Sequence, residues 1–115
     1  EAVVVGFVVG GNAPRHVLAR AIGPALGTFG ITDALPRPHL RLLRDGVVLA
    51  SNDQWARADA RHLSGVFERT GAFPVPESSP DAALVFPLAP GAYTLEATGL
   101  GNGTGTVLLE AYGVP

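Results

Sequence analysis

Apolar and polar positions alternate with a period of two along much of this chain, most clearly over residues 81–112. That stretch reads DAALVFPLAPGAYTLEATGLGNGTGTVLLEAY: three β-favouring runs separated by Ala-Pro-Gly and by Gly-Asn-Gly-Thr-Gly. In the middle run Tyr93, Leu95 and Ala97 alternate with Thr94, Glu96 and Thr98, the period of a half-buried strand. Pro90-Gly91 and the glycines at 101, 103 and 105 supply the fixed or positive φ that tight reversals need. The pattern predicts a β-meander, with Leu84, Phe86, Leu95, Val107 and Leu109 on the inward parity and sharing one core.

Upstream, residues 2–9 (AVVVGFVV) are apolar at both parities, which predicts a strand covered on both faces. Residues 16–22 (HVLARAI) predict a second strand carrying Arg20, and residues 24–35 an irregular connection with one helical turn. Residues 39–44 place Leu40 and Leu42 inward, with His39 and Arg41 toward water. Asp45-Gly46 then closes a two-residue hairpin onto residues 47–50, since Asp and Gly tolerate the positive φ that both turn positions require. Ser51, Asn52 and Asp53 break that strand. Helical spacing occurs only over residues 54–70, where Ala56, Ala60, Leu63 and Phe67 recur every three or four residues and Asp59 suits the start of a helix. Residues 71–80 form a proline-bearing link back to the last strands. Seven to eight short strands with one helical excursion near residues 56–69 predict an all-β fold: one antiparallel β-sandwich of jelly-roll type over residues 1–115.

Composition narrows the work such a fold can do. Hydrophobic residues make up 47% of the chain and charged residues 16%, which excludes disorder. No apolar run approaches the roughly 18–20 residues of a membrane span. A net charge of −2 argues against a nucleic-acid partner. The absence of Cys removes disulfides, thiolate catalysis and Cys-ligated metals.

Five blocks in order (VVVGFVVGG, VLARAIGPALGTFGI, LRLLRDGVVLASNDQW, DAALVFPLAPGAYTLEATG and TGTVLLEAYGV) resemble a module repeated in large exported bacterial multidomain proteins, similar in style to the bacterial pre-peptidase C-terminal sandwiches. The resemblance covers nearly the whole chain. It implies an accessory, non-catalytic module, secreted or at the cell surface, and transfers no catalytic residues.

Side-chain chemistry offers three candidates. His16, His39 and His62 could form a copper or zinc site serving a small metal-dependent enzyme, although a close His-x-His pair is missing and solvated positions explain them more simply. Asp53, Asp59 and Asp81, with Ser51 and Glu77, could supply oxygens to calcium if their loops converge; turn and helix punctuation is the simpler account, and no cofactor is favoured. Trp55, flanked by Asn52, Asp53, Gln54 and Arg57, could form a flat sugar-binding platform, or it could plug the sandwich beneath the helix. No serine lies in a nucleophile elbow, so catalysis is not expected.

The leading expectation is therefore an accessory module that binds a polysaccharide or cell-surface polymer, and the competing one is a spacer or adhesion repeat without a ligand. The first and last runs are apolar, and no charge interrupts the first. If uncovered they are templates for association, so a homodimer or tandem-repeat contact is expected there.

Overall fold

The computed structural model describes residues 2–115 as seven strands in two antiparallel sheets, with one α-helix and two short 3-10 turns. The strands are β1 (Val3–Val9), β2 (Arg15–Ile22), β3 (Pro38–Arg44), β4 (Val47–Asn52), β5 (Ala82–Leu88), β6 (Gly91–Gly99) and β7 (Leu108–Gly113). One sheet runs β1-β6-β3-β4 and the other β5-β2-β7. Helix α1 (Ala56–Thr70) and the link after it lie over the outer face of the three-stranded sheet. The all-β sandwich expected from the sequence is present, with four strands in one sheet and three in the other.

Two apolar clusters hold the layers together. Between the sheets, Val17, Ala19, Leu40, Leu42, Leu84, Tyr93 and Leu95 are buried, with Phe86, Val107 and Leu109 packed against them. The five residues expected to share one core therefore do so. On the other side of the three-stranded sheet, Leu18, Ile22 and Ala83 meet Trp55, Leu63, Val66 and Phe67. Strand β2 is thus covered on both faces, as is the first half of β5.

The Asp45-Gly46 turn forms as expected. Arg44 pairs with Val47, and the turn residues adopt φ of 50° and 78°, the positive pair of a two-residue hairpin. The register shifts between Leu42 and Leu43, and β4 runs past Ser51 to Asn52, opposite Leu40 and beyond its expected end.

Two strand readings need correction. Residues 81–112 are not a meander: β5 and β7 flank β2 in one sheet, while β6 lies between β1 and β3 in the other. Pro90-Gly91 turns the chain across the sandwich, so the two alternating runs face each other instead of pairing. Residues 2–9 are not doubly covered either. Strand β1 is an edge whose valines are largely exposed, because its double-parity pattern signals uncovered apolar surface and not burial.

Helix α1 is kinked at Asp59, whose backbone (φ −156°, ψ 86°) is not helical. Asp59 Oδ1 accepts a hydrogen bond from the His62 amide, so it caps the longer, second part of the helix. No helix among the described residues is long and apolar enough to cross a membrane.

Candidate functional site

Trp55 is not a platform. Only 2% of it is exposed; its ring lies 4.9 Å from that of Phe67, and its indole N–H donates to the Pro76 carbonyl at 3.2 Å. Its neighbours are engaged locally as well. Asn52 donates to the Gln54 carbonyl, and its own side-chain oxygen accepts from the Ala83 amide at 3.1 Å. Gln54 and Arg57 line a shallow groove of about 310 Å³ with Glu77, Ser78 and Ser79, which has no aromatic face. The burial follows from position: Trp55 enters α1 directly above the apolar outer face of β2 and β5, where an exposed indole would forfeit several kcal/mol.

The three carboxylates weighed as calcium ligands do not form a group. Asp81 is buried, and its Oδ2 accepts from the amides of Gly23 (2.7 Å) and Ala25 (3.1 Å) while Oδ1 accepts from the Ser79 hydroxyl. It thereby ties the start of the Pro24–Phe29 turn to the strand β5 entry. Asp59 is the helix cap, and Asp53 lies on the β4–α1 connection. Among the histidines, His16 and His62 line one open cavity of about 390 Å³ with Asp59, while His39 stands on β3 in the other sheet. Among the described residues no three His, Asp or Glu side chains are grouped to hold a metal ion.

The sequence reading missed a charge network on the outer face of the three-stranded sheet. Arg20 and Glu110 are directly paired residues of β2 and β7, and Arg20 Nε lies 2.6 Å from Glu110 Oε1. The guanidinium is buried between the rings of Phe67 and Phe73, at 4.8 and 4.4 Å from their centres, and Nη1 donates to the Phe73 carbonyl at 2.7 Å. Tyr112 donates to Glu110 Oε2 at 2.6 Å. Burial, and next the bond to the Glu110 carboxylate, raise the Tyr112 phenol above its ordinary pKa. The network pins α1 and the following link to the sheet, and it offers neither a nucleophile nor an open cleft. The signal was present in the sequence: an Arg on the helix-facing parity of a doubly buried strand needs a partner.

Uncovered apolar residues, Val3, Val4, Val5 and Val8, line the side of the sandwich where β1 and β7 end the two sheets. On the opposite side the Ala83–Asn52 hydrogen bond draws β4 and β5 together. The sheets hold four and three strands, and β1 is left open over its first half, while its far end is covered: Val9 is buried in the core with Val17. Val3 and Val5 have the inward parity, opposite Ala97 and Leu95 of β6, yet they are 45% and 40% exposed while those partners are 1% and 0% exposed. Two cavities mark the recess. One of about 480 Å³ lies between Val3, Ala97, Gly103 and Val107; the other, of about 210 Å³, lies between Phe7, Val9, Ala111 and Gly113.

Comparison of the sequence with family models, with curated proteins and with solved structures returns no match.

Proposed function

We propose that this chain is a non-catalytic structural module, a spacer or adhesion repeat, whose working surface is the open β1/β7 side. One observation carries the reading: Val3 and Val5 point toward the sandwich interior and still meet solvent. Soluble sheets guard their edges with charge, proline or a bulge, and β1 has none of these between Val3 and Val9. A strand or sheet from another polypeptide is the natural cover. Membership of an exported bacterial protein rests on the sequence resemblance, and attachment to a cell-surface polymer belongs to the same reading. A sugar platform has lost its aromatic to the helix cluster.

Sedimentation velocity from micromolar to near-millimolar concentration tests the proposal. The chain should associate beyond its 11.8 kDa monomer. Val5→Lys, an inward-pointing charge on the edge, should abolish that association without altering Trp55 emission. A clean monomer at every concentration would remove the basis for the reading.

A further inference from the structure

The open side has a shape that selects among partners. With β4 and β5 level on the closed side, the four-stranded sheet extends one strand spacing, roughly 4.8 Å, past the three-stranded one. The result is a step: β1 is the projecting tread, and beside β7 lies a recess one strand wide. Val3 shares one cavity with Val107, and Val9 shares the other with Gly113, so β1 and β7 run in the same direction along the step.

Resting on the reading above, we propose that the partner is a second copy of this chain, docked about a two-fold axis parallel to the strands. Each β1 then occupies the recess beside β7 of the other copy, as the missing fourth strand of its short sheet. A step of one strand is complementary to itself under this rotation, the condition an isologous dimer must satisfy. Both sheets become continuous, four strands from one copy followed by three from the other, joined by a parallel β1–β7 pairing at each seam. Val3, Val5 and Phe7 of the two copies meet across the axis and complete the core between the layers.

The alternative two-fold axis, perpendicular to the sheets, pairs β1 with β1 in antiparallel fashion. It leaves the two β7 strands about 14 Å apart, a gap two strands wide, with the inward valines still wet. Strand β1 has no charged residue, and Glu110 of β7 is turned to the outer face and held by Arg20 and Tyr112. The one guanidinium at the recess among the described residues, that of Arg15 beside Gly113, lies at its far end and is solvent-exposed.

The chain has no cysteine, so single cysteines at Val4, Gly6 and Val8, on the outward parity of β1, give unique spin-label sites. A Cβ at Gly6 meets only the Tyr93 carbonyl oxygen, at an ordinary 3.8 Å. Pulsed dipolar measurements on the associated species should return one distance, equal at all three positions, and sedimentation should stop at two copies. The pair Thr94→Cys and Thr98→Cys on β6, away from the seam, should likewise give equal distances and serves if labels on β1 hinder docking. Distances that change along the strand, or growth beyond a dimer, would overturn this geometry while leaving edge association intact. A monomer at every concentration would overturn both, and unchanged Trp55 emission verifies folding in each variant.

Discussion

Arg20 and Glu110 face each other across the β2–β7 ladder, and their 2.6 Å contact ties the edge strand to the helix layer through the rings that flank the guanidinium. Arg20 is fully buried and its Nη2 has no hydrogen-bond partner, so Glu110 is what offsets the desolvated charge. Glu110→Ala strands a buried cation and is expected to cost about 3–5 kcal/mol, whereas the joint replacement Arg20→Met with Glu110→Leu should cost far less. Chemical denaturation of Arg20→Met, Glu110→Leu and the double variant closes the cycle. Additive losses would show that the two groups do not depend on each other.

Trp55 is predicted to be structural. Trp55→Ala removes the indole from the helix cluster and should cost about 3–5 kcal/mol. Trp55→Phe keeps an aromatic against Phe67 and loses the hydrogen bond to Pro76, so its loss should be smaller. If both variants keep wild-type stability but lose binding to an insoluble polysaccharide, the platform reading returns.

How far the fold was legible depended on whether the signal was local. Asp45-Gly46 fixed its hairpin because the required φ values belong to those two residues. The inward parity of Leu84, Leu95 and Leu109 was readable for the same reason: alternation is a property of each strand alone. Sheet membership is not local. An Ala-Pro-Gly reversal serves a hairpin or a crossing between sheets equally well, and only the packing of β6 against β1 and β3 decides between them. The double-parity apolar run of β1 was likewise ambiguous, since it describes both a covered strand and one awaiting a cover. The Arg20–Glu110 pair spans 90 residues of sequence, and no spacing rule connects such positions.

The Tyr112 phenol gives the fold a dependence on alkaline pH. Its folded pKa is raised above the ordinary 10.0 by burial and by the Glu110 carboxylate, so its contribution is full below about pH 10. Above that pH the unfolded chain releases the proton first, and stability falls as pH rises toward and through the folded value. Denaturation midpoints measured from pH 8 upward should therefore decline, and Tyr112→Phe should flatten that part of the decline. An identical slope in wild type and variant would mean that the phenol titrates alike in both states.

Asp81 joins the Pro24–Phe29 turn to the β5 entry through one carboxylate, and its own backbone carbonyl accepts from the Trp55 amide at 2.9 Å. Asp81→Ala would leave the Gly23 amide without its side-chain acceptor in a site where water has little access, and would release the Ala25 amide and the Ser79 hydroxyl. Hydrogen bonds to a charged group contribute about 1.5–3 kcal/mol each, so a loss of several kcal/mol is expected. Asp81→Asn retains one acceptor oxygen but turns an N–H₂ toward a cluster of donors, so it should recover only part of that loss. The backbone bond to Trp55 survives in both variants, which confines the damage to the turn. Urea midpoints, with hydrogen exchange of the Gly23 and Ala25 amides, check this. Faster exchange at those two sites, beyond the loss of global stability, is the expected signature; unaltered local protection in Asp81→Ala would show that the turn holds itself without the carboxylate.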